Sequence, residues 1–158
     1  MNQFARLLPS SHIVLDQPCS NKKRAFEALA QLFETHHKVA SSAAYDALFT
    51  REKLGSTGLG EAVAIPHGRV KGLKETLCAV MRLAQPIPFE APDGKPVQVL
   101  IALLVPENAN QRHLDVLAEL AHMLASPAFR QTLLTADDTA IIHRLFLTWE
   151  PASLPGAD

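Results

Sequence analysis

Apolar residues recur along the chain with two different periods, and turn-forming residues mark each change. His12-Ile-Val-Leu15 reads as a short strand closed by Asp16-Gln-Pro18. Ser20 stands where a cap belongs, ahead of a helix from Asn21 to about Thr35 with Ala25, Phe26, Leu29, Leu32 and Phe33 on one face. Ser42 caps a second helix, with Tyr45, Leu48 and Phe49 inward and Gly55 as its stop. Ala62 to Ile65 and Thr76 to Leu83 read as strands. Gln85 to Pro96 carries four prolines and an Asp93-Gly94 pair, a tight-turn signal between short extended pieces. Val97 to Val105 is nearly all apolar, which predicts a central strand covered on both faces. After a loop from Pro106 to Asn110, a helix from Gln111 to Ala125 places Leu114, Leu117, Leu120, Ala121 and Leu124 in one stripe. Ser126-Pro127 opens a shorter helix to Leu134, and Asp137-Asp138 starts a last one with Ile141, Ile142, Leu145 and Phe146 inward. There is no internal repeat and no linker. The pattern predicts one α/β domain over residues 1–150, then a loose tail from Pro151 to Asp158.

Composition narrows the partners. A chain of 158 residues suits a single domain that buries roughly 70% of its unfolded surface. Fifteen basic and 16 acidic residues leave a net charge of −1, so there is no field to hold nucleic acid. The two cysteines, Cys19 and Cys78, are far apart and form no CxxC, as expected of buried free thiols in a reducing compartment. Met1-Asn-Gln-Phe-Ala-Arg6 lacks the apolar core of a secretory signal, and the longest apolar run, Val99 to Val105, is too short to span a bilayer. The expected setting is cytoplasmic, with no membrane-embedded segment.

The segment from Arg51 to Arg69 concentrates the chemistry. It holds Gly55, Gly58 and Gly60, the hydroxyls of Ser56 and Thr57, a short apolar run, and then Pro66-His67-Gly68. Glycine lets the backbone approach a ligand closely, and proline fixes the chain on one side of the imidazole. The arrangement presents His67 on a solvent-facing turn with Arg51 and Arg69 in the same segment, and it reads as a phosphoryl-accepting histidine. A neutral imidazole nitrogen is the nucleophile such chemistry needs. The backbone N–H groups of the glycine-rich loop are expected to help hold the transferring phosphoryl, whose charge is spread over its oxygens.

This segment resembles the enzyme IIA domains of the bacterial phosphotransferase system, in particular the fructose and mannitol type together with its nitrogen-regulatory branch. Pro86-Ile-Pro-Phe89, Ala91-Pro-Asp-Gly94, Leu103-Leu-Val-Pro106 and His113-Leu-Asp-Val-Leu117 extend the resemblance in the same order, to about Phe146. It implies a single domain with a mixed β-sheet flanked by helices on both faces. It also implies that His67 is phosphorylated by a histidine-containing phosphocarrier, with the phosphoryl derived from phosphoenolpyruvate through protein donors and no bound cofactor or metal. By the same resemblance His113 sits beside His67, Arg51 lines the same pocket, and Thr57 and Gly58 fall in the loop next to the site. Glu61 occupies a position that varies between branches and receives no role. The nitrogen-regulatory branch implies regulated targets such as potassium transport or sensor kinase components.

Other readings stay open at this stage. Arg51 also suits the C-terminal dipole of its helix, and His113 also suits packing or capping at a helix start. His12, His36, His37, His122 and His143 read as surface or satisfied histidines. Gly55 to Gly60 has the spacing of a nucleotide-binding loop, but Glu61 stands where that loop needs lysine. A zinc site joining His67 and His113 lacks an obvious third ligand. The alternatives to a regulatory phosphohistidine carrier are therefore three. One is a sugar-specific IIA component passing phosphoryl to a IIB domain. The second is a binding module independent of phosphorylation, and the third is a metal-binding enzyme. The absence of a IIB-like extension leans toward the regulatory branch.

Overall fold

The structure, a computed structural model, describes residues 2–151 apart from the side chains of Arg112 and His113. A mixed sheet lies between two helical layers. Its strands are β1 (Ile13–Gln17), β2 (Gly58–Gly60), β3 (Val63–Ala64), β4 (His67–Val70), β5 (Leu77–Ile87) and β6 (Val97–Pro106). Strand order is β1-β5-β6-β3-β2, and β4 also pairs with β6. β5 runs antiparallel to β6, whereas β3 and β4 run parallel to it, β3 beside Val99 and Leu100 and β4 beside Leu103 to Pro106. β6 is thus the central strand. Its Val99, Ile101 and Leu103 enter one core and its Leu100, Ala102 and Leu104 the other, as the two-residue period of a strand requires.

Helices α2 (Lys22–His37) and α3 (Ser41–Glu52) cover one face through Phe26, Leu29, Phe33, Ala44 and Leu48. Helices α1 (Gln3–Arg6), α4 (Gln111–Leu124), α5 (Pro127–Thr135) and α6 (Thr139–Thr148) cover the other, around Phe4, Leu120, Phe129 and Phe146. Both layers and the buried central strand agree with the α/β expectation.

Several local expectations need correction. Asn21, not Ser20, caps α2, its side chain accepting from the Arg24 N–H. α3 begins at Ser41 without a side-chain cap from its flanking residue. The Glu34 carboxylate accepts from the Ser41 N–H at 2.8 Å instead, a cap supplied by the neighbouring helix. β5 runs past Pro86 to Ile87 because the ladder is irregular between Arg82 and Ile87, and the Gln98 side chain donates to the Leu83 carbonyl there. The buried stripe of α4 is Val116, Leu120, Met123 and Leu124, while Ala121 is exposed. Leu117 is partly buried against the same core, as expected, whereas Leu114 is exposed. α1, β2 and β4 were not expected. β2 and β3 join through Glu61 and Ala62, both with positive φ, which makes a tight hairpin of a kind that alternating hydrophobicity does not reveal. From residue 152 on, the expected tail lies outside the described residues.

Candidate functional site

β3 and β4 lie end to end along β6, separated by Ile65 and Pro66. Proline has no N–H to give a ladder, so the break falls where the sequence puts it. His67 is the first residue of β4, paired with Leu103, and it is half-buried rather than displayed on a solvent-facing turn. Its Nδ1 lies 2.9 Å from the Ile65 carbonyl oxygen, in the break. A carbonyl only accepts, so Nδ1 carries the proton and the neutral ring has its lone pair at Nε2. Burial holds the His67 pKa below its ordinary 6.5 and the Arg51 guanidinium adds to that, while the Ile65 hydrogen bond and the Glu52 carboxylate pull the other way.

Gly68 explains how a helix comes so close to this histidine. A Cβ at Gly68 would overlap the Ala47 carbonyl, so α3 rests its backbone directly on β4. Arg51 follows Ala47 by one helical turn and therefore projects over the same end of the strand. Its Nη1 donates to the Gly55 carbonyl at 2.7 Å, which leaves the rest of the guanidinium fork for a ligand.

His67 and Arg51 line one cleft of about 710 Å³. Arg69, Lys71, Asp46 and Glu107 bring charges of both signs to its wall, and Leu54 and Leu114 bring apolar surface. Leu54 is 83% exposed and Leu114 48%. Leu114 and Leu117, two of the five residues expected in the α4 stripe, thus line the cleft, and Leu117 also packs against the core. His113 belongs to the same first turn of α4, and its side chain lies outside the described residues.

The glycine-rich loop is placed differently from expectation. Thr57 and Gly58 are not among the described residues that line the cleft. Thr57 is buried and turned toward Glu52: its Oγ1 donates to Glu52 Oε1 at 2.5 Å and its N–H to Oε2 at 3.1 Å. The Gly58 N–H donates to Ser56 Oγ, the Gly55 N–H to the Glu52 carbonyl, and the Glu61 N–H to Asp93. These amides are engaged within the fold and do not form a phosphoryl cradle. A Cβ at Gly58 would meet the Ala91 side chain at 2.8 Å, so this glycine serves close packing against the loop after β5. Glu52 itself escaped the sequence reading. A carboxylate beside Arg51 at a helix end looks solvated, and only the fold shows it buried on Thr57 with Lys22 Nζ 2.9 Å away. Among the described residues no group of three or more His, Cys, Asp and Glu side chains is placed to hold a metal ion.

Residues 6–148 match the family model described as "Phosphoenolpyruvate-dependent sugar phosphotransferase system, EIIA 2". The chain belongs to this family. A nitrogen regulatory protein of Pseudomonas aeruginosa is 35% identical to this IIA chain over 146 residues, spanning 92% of the chain and 95% of the relative. A fructose-specific EIIA component of Haloferax volcanii is 33% identical over 144 residues, 90% and 94% of the two. The crystal structure of the nitrogen regulatory protein IIA-Ntr from Neisseria meningitidis superposes with a TM-score of 0.87 at 44% identity, covering 91% of the IIA chain and 99% of that structure. The sheet and helical layers are those of the IIA-Ntr fold. The IIA chain is a phosphotransfer component of the system, with the role of a phosphohistidine carrier. No helix among its described residues is long and apolar enough to cross a membrane.

Proposed function

We propose that His67 Nε2 accepts the phosphoryl group from a histidine-containing phosphocarrier protein. On this reading the chain acts in the cytoplasm as a regulatory IIA protein of the nitrogen-regulatory type. The observation that carries the assignment is the Ile65 carbonyl on Nδ1, which leaves Nε2 as the unprotonated nitrogen of a half-buried ring. In the transfer, the Nε2 lone pair forms the new N–P bond while the donor imidazole departs with the electrons of the old one. The accepting ring becomes more cationic as it bonds to phosphorus, and the Ile65 carbonyl, already on the Nδ1 proton, disperses that charge. Arg51 meets the equatorial oxygens, where a charge-assisted hydrogen bond sheltered from water is worth about 1.5–3 kcal/mol. His113 is the second group assigned to the phosphoryl, on the resemblance alone. The phosphoryl arrives from a protein, so no bound cofactor or metal is invoked. Regulated targets of the potassium-transport or sensor-kinase kind follow from the branch.

Intact mass after incubation with phosphoenolpyruvate, enzyme I and the phosphocarrier of the same organism tests the assignment. One acid-labile phosphoryl group is expected on the native chain and none on His67→Ala; a fully phosphorylated His67→Ala chain would sink it. The similarity to the fructose-specific component favours a second reading, in which the phosphoryl passes on to a IIB domain. Rapid loss of the label to an added fructose-type IIB domain would establish that reading in place of the regulatory one.

A further inference from the structure

A continuous run of hydrogen bonds leads from a buried carboxylate to the His67 ring. Glu52 holds Thr57 by both its hydroxyl, at 2.5 Å, and its N–H, at 3.1 Å. The Thr57 carbonyl accepts from the Ile65 N–H at 3.0 Å, and the Ile65 carbonyl meets His67 Nδ1 at 2.9 Å. A second arm starts from the same residue. The Glu52 carbonyl accepts from the Gly55 N–H, and the Gly55 carbonyl accepts from Arg51 Nη1. The Glu52 side chain is 3% exposed, and Lys22 from α2 balances it at 2.9 Å while lying over the Phe89 ring.

We propose that Glu52 is a positioning residue for phosphoryl transfer, acting through Thr57 and Ile65 to hold the His67 ring in the tautomer that leaves Nε2 free. The inference rests on His67 being the acceptor. Glu52 does not touch the phosphoryl. It fixes the carbonyl that fixes the proton, the same logic by which a partner on one imidazole nitrogen sets the state of the other. With the clamp loosened, the Ile65 carbonyl drifts, Nδ1–H loses its acceptor, and the proton redistributes to Nε2, where it blocks attack. Small misplacements of a reacting group lower rates steeply.

Two readouts on the full chain test this. Imidazole nitrogen chemical shifts report the His67 tautomer, and the initial rate of phosphorylation by phosphoenolpyruvate, enzyme I and the phosphocarrier reports its competence. Glu52→Gln is expected to raise the Nε2–H population and to slow phosphorylation roughly 10- to 100-fold. Thr57→Val keeps the shape and the Glu52–Lys22 pair but loses the hydroxyl, and is expected to act in the same direction. Thr57→Ser restores the hydroxyl and should restore both readouts. Should Glu52→Gln prove too unstable to study, the Thr57 pair decides alone. Unchanged nitrogen shifts, with a rate within about twofold of native in folded Thr57→Val, would overturn the inference. A native chain that takes up no phosphoryl would instead overturn the proposed function, a failure the tautomer measurement keeps separate.

Discussion

At the scale of single residues, the state of His67 follows from three neighbours acting in different directions. Burial lowers its pKa most, Arg51 lowers it further, and the Ile65 carbonyl and Glu52 oppose them. The net result is a ring that stays neutral, and therefore nucleophilic, to lower pH than a free histidine. Titration of its ring proton by NMR is expected to give a midpoint below 6.5, and the acid limb of the phosphorylation rate should follow it. A midpoint above that value would mean that Arg51 and burial are outweighed. Replacing Arg51 with alanine should move the midpoint upward, since a cation that penalises the protonated ring is lost.

At the scale of elements, the strand after Pro66 and the helix before Gly55 meet at Gly68. Adding a methyl there places it on the Ala47 carbonyl, a backbone atom that no rotamer change moves aside. Gly68→Ala is expected to lose about 3 kcal/mol or more of stability in urea titration, the upper part of the range for overpacking. A loss below about 1 kcal/mol would mean that α3 can slide on the strand. The sequence made much of this legible: the buried central strand, the amphipathic α2, and the caps at Ser126 and Asp138 are written in local period and residue type. His67 and Arg51 were legible as a pair because they share a motif. What was hidden is non-local. Whether the amides of a glycine-rich loop point at a ligand or at Glu52 depends on which element lies beside the loop. Leu114 departs from the expected α4 stripe because a helix next to a cleft keeps an apolar residue off its core face. Strand β4 is not legible in the sequence because it follows Pro66 directly and contains Gly68, and both residue types are depleted in strands.

At the scale of the whole molecule, three histidines resist protonation together. His12 is buried, its Nδ1 3.2 Å from the Cys78 carbonyl and 3.4 Å from His37 Nε2, with the His36 and His37 rings each centred 4.6 Å from its own. Burial lowers its pKa, and repulsion from His37 and His36 adds to this. Burial and His36 do the same for His37, and His67 is lowered as well. Since the unfolded chain takes up these protons first, their contribution to stability is intact above about pH 6.5. It is lost as the pH falls from there through the lowered folded-state values. Urea midpoints at about pH 7.5 and about pH 5.5 should show the decline, and equal midpoints would contradict it.

The contact between Gly68 and Ala47 reaches further than stability. Main chain of α3 rests on main chain of β4 one residue from His67, so that contact holds no side chain that could repack. On the proposed function, α3 and β4 are therefore expected to keep their spacing when His67 is phosphorylated. On the same proposal, what changes is charge: a molecule of formal charge −1 would gain about −1.5 to −2 at a single point, and end between about −2.5 and −3. A partner reading the proposed two states would then distinguish them as it would two ions of the same shape.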